Sequence, residues 1–543
     1  MATCGRVAHF PTEMKRTQII RNHEGVSMAR LHEYQGKALL AQKGIPIPPG
    51  KAASSPEEVR EVAAELGTPV VVKIQAWVTG RAGIGGIRFA ETPDEAAQAA
   101  SEMLGMQVGS FTVEKVMVEQ RLEIEREFYA GVIVSDRERA PVVMFSSVGG
   151  TGIEEIAQAH PEAVAQHVVD IGQGLREYQA RNLVRRTGIH GKLQRGLAGL
   201  LVKLYNVART WEARAAEINP LVLTTDGKLI AADCRITVDD YAVFRHKDLG
   251  ITFARELDRP PTPLEQIAYA VEAGDYRGTF YFIQLEDDFQ AGEGVIGFHG
   301  AGGGGSMMSM DAVINEGFRL ANFVDTSGNP PASKVYRAAR IIMSQGPIDG
   351  YFGSGSGVAS QEQFHSARGL VKAFMEEPLT VPAVIRLGGN AEDKAVEILE
   401  RVNGHIPAPV EGYKKDDSPQ FCAQRLKALI ESYTPPTTPP AGRQKPTFQR
   451  PYTFETVTGG IVTLDHAICA TCESKVCVQE CVPQILSLDE AGCPVLNISA
   501  EEAQKGRCIE CLACDIACYF DGAGGGYVEL PIPGLTEYRE RRQ

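Results

Sequence analysis

Nine of the twelve cysteines in this 543-residue chain lie in one short stretch near its C-terminus. Eight of them form two runs, Cys469-x2-Cys472-x4-Cys477-x3-Cys481 and Cys508-x2-Cys511-x2-Cys514-x3-Cys518. A tight turn at C-x2-C spacing brings two sulfurs to the same side, so the thiolates of such runs converge on metal centres. The tail is therefore predicted to fold around bound metal, in a reducing, cytoplasmic compartment where free thiols persist.

Two metal chemistries fit eight cysteines. The second run has the spacing of bacterial ferredoxins, in which the fourth cysteine ligates the other cluster, so the tail (453–543) resembles a small α+β ferredoxin-like domain. This resemblance implies two 4Fe–4S clusters, one on Cys469, Cys472, Cys477 and Cys518, the other on Cys508, Cys511, Cys514 and Cys481. The first run departs from the pattern, with four residues between its second and third cysteines, and no proline directly follows either fourth cysteine. A pair of structural zinc sites is the alternative.

Composition and charge exclude several classes of protein. Hydrophobic residues make up 43% and charged residues 23%, which is ordinary for globular chains, and the length suggests three or four domains. No run approaches the roughly 18 apolar residues that span a membrane. The net charge of −13, without a basic stripe, argues against a nucleic-acid partner. Residues 1–28 are predicted to be an N-terminal extension, or the product of a start codon upstream of Met28.

The rest of the chain alternates predicted helices and strands. Helices are predicted over 31–43, 54–65 and 92–103, and a buried strand over 70–74. Short apolar runs at 294–298, 348–352 and 381–387 each lead into a glycine loop and a helix, which predicts an open parallel sheet with ligands at the carboxyl ends of its strands. A domain boundary is predicted near 258–263. Six prolines in 433–452 predict an extended linker that separates this α/β body from the tail.

Two features of the body indicate nucleotide chemistry. Lys73 ends a buried strand next to a glycine loop, where its charge and the loop amides could meet phosphates; a solvated lysine beside a flexible hairpin is the alternative. Asn219 and Asp233 are predicted on two strands of a hairpin, and two such oxygen donors suit Mg²⁺. An ordinary polar hairpin is the alternative here.

Several segments, taken in order, resemble the β subunit of succinyl-CoA synthetase over residues 30–433. They are LHEYQGKALL, VVVKIQAWVTGR, EREFYAG, EINPLV, FHGAGGGGSMMSMD, ANFVDTSGNPPASK and VPAVIRLGGNAED. The resemblance implies an ATP-grasp domain over 29–258 and a flavodoxin-like CoA-ligase domain over 259–432. It implies nucleotide-binding positions at Lys73, Gly80, Arg81, Ala82, Glu119 and Glu127, Mg²⁺ ligands at Asn219 and Asp233, and catalytic roles for Lys73 and for Glu217, the latter near a phosphohistidine.

Departures from the family fall mainly in the expected acid pocket. Gly83 replaces a lysine of the glycine loop, and His299 stands where the family has an asparagine that contacts the acid. The family's FGGIV is replaced by FGSGSGV at 352–358, so the expected substrate residues are His299, Gly353, Ser354, Gly355, Ser356 and Gly357. The nucleotide machinery is thus expected to be retained and the acid to differ from succinate. The alternative, that His299 itself carries the phosphoryl group, conflicts with its alignment in an acid-contacting segment.

The resemblance implies an NDP-forming acid–CoA ligase that uses ATP or GTP, Mg²⁺ and CoA. The phosphohistidine and most of the CoA site are expected on a separate α-type subunit, and the helix that begins near Ser333 is expected to point its amides at the phosphohistidine. The rival hypothesis is an electron-transfer or scaffold subunit of an oxidoreductase complex, in which the ligase body is a nucleotide-driven gate or docking platform. A third possibility is channelling, in which a redox partner docked on the tail makes the acid or uses the thioester.

Overall fold

The computed structural model describes residues 29–78, 80–149, 153–355, 360–438 and 440–542. The predicted N-terminal extension lies outside these residues, as do Ser356 and Gly357 of the expected acid pocket. The chain divides into two compact units after Pro261, within the segment where the sequence predicts a boundary. None of the described helices combines the length and the apolar character that crossing a bilayer demands.

Unit 1 contains two antiparallel sheets, each covered by helices. Its helices are α1 (Glu33–Gln42), α2 (Pro56–Leu66), α3 (Pro93–Met103), α4 (Ile153–Ala159), α5 (Glu177–Arg186) and α6 (Gly191–Thr210). Its strands are β1 (Gly50–Ala53), β2 (Val70–Ile74), β3 (Ile87–Ala90), β4 (Gln107–Val108), β5 (Phe111–Thr112), β6 (Val116–Gln120), β7 (Ile124–Ser135), β8 (Ala140–Ser146), β9 (Val164–Val168), β10 (Ala213–Thr224), β11 (Leu229–Ala231) and β12 (Cys234–Val238).

The first sheet of unit 1 has the strand order β1-β6-β2-β3, and the second has the order β11-β10-β7-β8-β9 with β12 paired to β10. Helices α2 and α3 begin where the sequence predicts, because Ser55 and Thr92 accept hydrogen bonds from the backbone amides of Glu58 and Glu95, each at 3.2 Å. The predicted helix at 31–43 and the strand at 70–74 are also confirmed, as α1 and β2.

Unit 2 is built on one sheet of order β13-β16-β14-β17-β18-β19, with β15 paired to β14. Its strands are β13 (Tyr281–Gln284), β14 (Val295–Ala301), β15 (Arg319–Leu320), β16 (Asn322–Asp325), β17 (Gly350–Gly355), β18 (Ala383–Arg386) and β19 (Val410–Tyr413). Its helices are α7 (Pro263–Ala273), α8 (Gly303–Asn315), α9 (Ala332–Ile342), α10 (Phe364–Glu376), α11 (Glu392–Glu400) and α12 (Pro419–Ser432). All pairings except that of β13 are parallel, which confirms the predicted parallel sheet.

The cysteine-rich tail is also part of unit 2. Its strands are β20 (Pro451–Glu455), β21 (Ile461–Asp465), β22 (Leu486–Leu488), β23 (Pro494–Leu496) and β24 (Gly526–Glu529). Its helices are α13 (His466–Cys469), α14 (Val476–Gln479), α15 (Ala500–Glu502), α16 (Cys518–Asp521) and α17 (Leu535–Arg542), and short π-helical turns cover Ala503–Arg507 and Ala513–Ala517. Strands β20, β21 and β24 form one sheet, and β22 and β23 form a hairpin.

The tail is docked on the parallel-sheet part of unit 2, so the expectation that the linker would separate the tail from the body is wrong. Phe374 of α10 and Leu399 of α11 share one continuous core with Phe454 and Ile516 of the tail. In α9 every residue except Arg340 is buried. The linker contains no helix or strand between 433 and 450 within the described residues, as predicted, but it lies against the body.

Two backbone contacts hold the linker in place. The Arg443 amide donates a hydrogen bond to the Met375 carbonyl at 2.7 Å. A Cβ at Gly442 would lie 1.9 Å from the Glu376 carbonyl oxygen, so only glycine permits this close approach. Proline spacing predicts an extended backbone, but it does not determine what that backbone lies against.

Candidate functional site

A buried cluster of ion pairs lies between α1 and the first sheet of unit 1. The Lys73 amine, at the end of β2, is 3.0 Å from a Glu33 oxygen and 2.8 Å from a Glu119 oxygen, and it donates to the Ala232 carbonyl at 2.8 Å. Lys37 contacts Glu33 at 2.7 Å and also pairs with Glu119. Burial alone would lower the pKa of Lys73, but the two carboxylates outweigh it and raise that pKa above its usual range. Lys73 is therefore held as a cation.

Arg81 connects this cluster to the hairpin that carries the predicted metal ligands. One guanidinium nitrogen is 2.7 Å from Glu33, and the other is 2.5 Å from Asp233. The glycine loop turns Arg81 inward, since the Gly86 amide donates to the Arg81 carbonyl at 2.8 Å and Gly80 adopts a φ of 68°. Ala82 belongs to the same turn. The loop therefore presents one fixed cation to the candidate metal position.

Asn219 lies on β10, as predicted, whereas Asp233 lies in the two-residue gap between β11 and β12 and not on a strand. The Asn219 amide donates to the Asp233 carbonyl at 3.2 Å, next to the β10–β12 pair of Ile218 with Cys234. Burial and the nearby Glu33 raise the pKa of Asp233, and the Arg81 cation opposes that shift. The oxygen donors of Asn219 and Asp233 suit Mg²⁺, and the carboxylate of Asp233 already accepts a positive partner, so this pair of residues fits a divalent cation.

Two of the predicted nucleotide-site residues lie outside this ion-pair cluster. Glu127 is half-buried on β7, opposite Val222 of β10. Glu217 is half-buried on β10, two residues before Asn219 and opposite Arg235 of β12. Of the predicted set, Lys73, Arg81, Glu119 and Asp233 are therefore the side chains that the structure joins through ion pairs.

Sequence reasoning missed Glu33 and Lys37, which complete the cluster. The side chain of each is almost fully buried, with 2% and 1% exposed. They lie one turn apart on α1, within the LHEYQGK segment. The i,i+4 spacing of an acidic and a basic residue on a predicted helix indicates an ion pair. The same spacing is typical of solvated helix surfaces, so it does not predict that the pair is buried.

In unit 2, the expected acid-binding residues lie at the carboxyl ends of β14 and β17. The parallel register places His299 opposite Gly353, with Gly300 opposite Ser354. His299 is 5% exposed, and its Nδ1 lies 2.6 Å from the Tyr351 hydroxyl. Burial lowers the pKa of His299 to about 3, so its ring is neutral at physiological pH.

A single residue separates the end of β14 from the start of helix α8, and the middle of this helix contacts the end of β17. The Ser354 hydroxyl is 2.8 Å from that of Ser309 in α8, and Gly355 accepts a hydrogen bond from Arg386 at 3.1 Å. Helix α9 begins at Ala332, which confirms the predicted start near Ser333. The Ser333 hydroxyl is buried and has no hydrogen-bond partner within the described part of the chain. The N-terminus of α9 therefore offers backbone amides and one unpaired hydroxyl that suit an anion.

In the tail, the cysteines lie in two groups around two small cavities. Cys469, Cys472, Cys477 and Cys518 line the first cavity, and Cys481, Cys508, Cys511 and Cys514 line the second, together with Cys477. All eight are unpaired thiols. Burial, together with neighbouring thiols, raises the pKa of Cys469 to about 12 and that of Cys477 to about 11. Buried thiols crowded around a cavity are a donor set that fits a thiolate-bound metal.

A lysine and an arginine held over two oxygen donors, between two antiparallel sheets, define an ATP-grasp type of nucleotide-binding unit, followed here by a parallel-sheet unit. The ATP-grasp domain family matches residues 30–223. The chain is 40% identical over 371 residues to the β subunit of a GDP-forming succinate–CoA ligase from Thermus thermophilus, a match that covers 68% of this chain and 93% of that protein. It is 34% identical over 377 residues to the β subunit of an ADP-forming succinate–CoA ligase from Pyrobaculum islandicum, covering 69% and 94%.

A solved structure agrees with this assignment at the level of fold. ATP citrate lyase from Methanothrix soehngenii, in complex with citrate and coenzyme A, has a TM-score of 0.61 and 18% identity, covering 74% of this chain and 99% of that chain. The chain therefore belongs to the family of succinate–CoA ligase β subunits and is an NDP-forming acid–CoA ligase.

Proposed function

We propose that this chain is the nucleotide-binding subunit of a ligase that joins a carboxylic acid other than succinate to CoA, working with an α-type subunit. The observation that carries the proposal is the fixed Lys73–Arg81–Asp233 arrangement in unit 1. It supplies two cations for nucleotide phosphates and a carboxylate that accepts a positive partner. Bound on Asn219 and Asp233, Mg²⁺ would neutralise phosphate charge.

The reaction begins with transfer of a phosphoryl group. The bond between the γ-phosphorus and its bridging oxygen breaks, a bond to a histidine nitrogen of the partner forms, and NDP leaves. Lys73 and Arg81 stabilise the charge on the phosphates, and Glu217 is proposed to orient the accepting histidine. The acid then takes the phosphoryl group, and the CoA thiol displaces phosphate from the acyl phosphate to give the thioester.

The acid site is proposed at the edge of the sheet in unit 2. A neutral His299, fixed by Tyr351, offers a hydrogen bond of defined direction where the family has an asparagine. Gly353, Ser354 and Gly355 line the same edge, and the α9 amides with the unpaired Ser333 hydroxyl are suited to a phosphoryl or carboxylate group.

The metal assignment is tested by Asp233→Asn, with Asp226→Asn as the matched control. Asp226 lies in the turn of the same hairpin, but its side chain is exposed and pairs with Lys228 at 2.7 Å. Calorimetry with nucleotide in excess Mg²⁺ or EDTA should show that Asp233→Asn loses at least about tenfold in Mg²⁺-dependent affinity, the cost of removing one charged contact. The control should match the parent. Equal affinities for all three proteins would contradict the assignment.

The two-subunit mechanism is tested by phosphoryl labelling. The chain alone, with Mg²⁺ and γ-labelled NTP, should acquire no acid-labile phosphate, and acid-dependent NDP formation should require an α-type subunit. The structure makes His299 a poor phosphoryl carrier, because its ring is 95% buried and bonded to Tyr351. Stoichiometric label on His299 without a partner would refute the mechanism.

The cysteine groups are proposed to hold two 4Fe–4S clusters that transfer electrons to or from a redox partner. Support comes from the spacing of the runs and from the two cavities, each lined by the four thiols that the ferredoxin pattern assigns to one cluster. Protein prepared without oxygen should contain close to eight irons per chain, since each cluster holds four. Zinc in place of iron in such a preparation would support the structural alternative.

A second function is favoured by one observation, the shared core of the tail and the ligase domain. A redox module built into the body is consistent with an electron-transfer subunit in which the ligase body is a docking platform. Acid-dependent NDP formation by the purified complex, across a panel of acids, distinguishes the two: a platform would show none.

A further inference from the structure

The cysteine runs contain three carboxylates that face the ligase domain, and each is paired with a cation from α9 or α10. We call this set of contacts the seam. Its pairs are Arg337 with Glu510 (3.9 Å), Arg368 with Glu480 (2.6 Å) and Lys372 with Asp515 (2.7 Å). The three cations are at most 5% exposed. Because unpaired charges are costly to bury, three such pairs in one contact are a specific electrostatic arrangement.

The carboxylates of the seam belong to the metal-binding loops themselves. Asp515 directly follows Cys514, Glu480 directly precedes Cys481, and Glu510 directly precedes Cys511. Each carboxylate is therefore within a few ångströms of chain from a proposed cluster ligand.

Lys372 and Asp515 form the most enclosed pair of the seam, since both side chains are 0% exposed. The Lys372 amine also contacts Glu376 at 2.6 Å. The second oxygen of Asp515 contacts Arg443 at 2.6 Å, and the Val528 amide donates to the first at 3.2 Å. Lys372, Arg443, Asp515 and Glu376 together are balanced in charge, so removing any one of them leaves a net charge that solvent screens only weakly.

A buried charge near an iron–sulfur centre changes how easily that centre is reduced. Reducing an iron–sulfur centre adds one electron to it and breaks no bond, so a nearby positive charge favours the reduced state and a negative charge disfavours it. At an effective dielectric constant of about 20, one charge at a separation on the order of 10 Å changes the reduced-to-oxidised ratio by about tenfold. For a one-electron couple, tenfold corresponds to about 59 mV.

We propose that the ligase domain has a second function: the cations of the seam, Lys372 foremost, set the reduction potential of the iron–sulfur centres held by the tail. The inference rests on the proposed function, in that it needs the cysteines to hold clusters. Lys372 is not a ligand, because its described ion pairs are with Asp515 and Glu376 and it touches no cysteine among them; it acts through its charge. The reduction potential of the clusters would then depend on the ligase domain as well as on the tail.

The test is an anaerobic potentiometric titration of the full chain, with dithionite as reductant and electron paramagnetic resonance as readout. Lys372→Met removes one positive charge, so the reduced-to-oxidised ratio at the parent's midpoint should fall by about tenfold. Asp515→Asn removes one negative charge, so the ratio should rise by about as much. The double variant restores the net charge and should titrate within about threefold of the parent. If Lys372 and Asp515 had only a structural role, the two single variants would not be expected to shift the reduced-to-oxidised ratio in opposite directions, nor the double variant to restore it.

Arg401→Met is the matched control. Arg401 pairs with Asp521 across the same contact at 2.8 Å, but the two side chains are 33% and 47% exposed. Because solvent and salt screen this pair, Arg401→Met should change the reduced-to-oxidised ratio at the parent's midpoint by less than about twofold. If Arg401→Met changed this ratio as much as Lys372→Met does, the inference would be contradicted. It would also be contradicted if Lys372→Met and Asp515→Asn changed the ratio in the same direction, or not at all.

Iron analysis distinguishes the absence of clusters from the absence of a charge effect on them. A parent protein without iron refutes the proposed clusters and, with them, the inference. If the parent holds eight irons but a buried variant loses them, Glu480→Gln is measured instead, because Glu480 is 30% exposed and its loss is better tolerated. That variant should raise the reduced-to-oxidised ratio, and Lys372→Arg should titrate like the parent. An unchanged ratio in Glu480→Gln would overturn the inference.

Discussion

Glu33 is the residue on which the charge balance of the proposed nucleotide site depends, and Glu33→Gln should expose that dependence. Its carboxylate contacts three cations, Lys37 at 2.7 Å, Lys73 at 3.0 Å and Arg81 at 2.7 Å. Burial raises the pKa of Glu33, but these cations outweigh it and hold that pKa well below its ordinary value of 4.5. Glutamine preserves the shape of the side chain and removes only the charge.

The expected loss follows from the burial. Breaking a buried, paired charge costs about 3–5 kcal/mol, and each kcal/mol lowers the Tm of a unit of this size by about 2–4 °C. Glu33→Gln should therefore unfold about 6–20 °C below the parent in a calorimetric scan without nucleotide. Bound nucleotide brings phosphate charge that compensates the excess positive charge left by the variant, so saturating nucleotide should narrow the Tm difference between variant and parent.

A control and a pH series test the same reasoning. Glu61→Gln, an exposed position on α2, should change the Tm by less than about 2 °C. Because the folded-state pKa of Glu33 is depressed, its contribution is present above about pH 4.5 and is lost as the pH falls through the folded-state pKa. The gap between Glu33→Gln and the parent should therefore shrink in acid. A Tm within 2 °C of the parent at neutral pH, or a gap that nucleotide widens, would refute the electrostatic account.

Three further outcomes are expected. His299→Asn should raise the kcat/KM of the complex for succinate, relative to its preferred acid, by about tenfold or more, and an unchanged ratio across an acid panel would exclude His299 from acid selection. Acid preference should not change between pH 5.5 and 8, because the pKa of His299 is about 3 and its ring stays neutral. Cys511→Ser should lower the iron content while Cys422→Ser, a buried cysteine outside both runs, should leave it unchanged.

Part of the buried ion-pair cluster that is proposed to bind nucleotide was predictable from the sequence. Lys73 closes a short buried strand, and Asn219 and Asp233 flank a TTDG turn, so local patterns indicate both the cation and the oxygen donors. The salt bridge from Arg81 to Asp233 was not predictable, because it joins residues 152 positions apart through the conformation of a glycine loop. Long-range ion pairs of this kind depend on tertiary packing, and hydrophobic periodicity and turn residues predict only local structure.

The docking of the tail has a different physical origin. The prolines of 433–452 predict an extended backbone without helix, and the described residues between 433 and 450 contain no helix or strand, but such a backbone can lie flat on a surface as well as span a gap. The decisive signal lies elsewhere, in α10, whose sequence carries Arg368 and Lys372 on faces that a lone flavodoxin-like domain would expose to water. Both are at most 1% exposed here, because Glu480 and Asp515 of the cysteine runs cover them. Charged residues in the cysteine runs and in α10 are thus buried only in contact with each other, and this mutual requirement argues that the ligase domain and the cysteine-rich tail work as one unit.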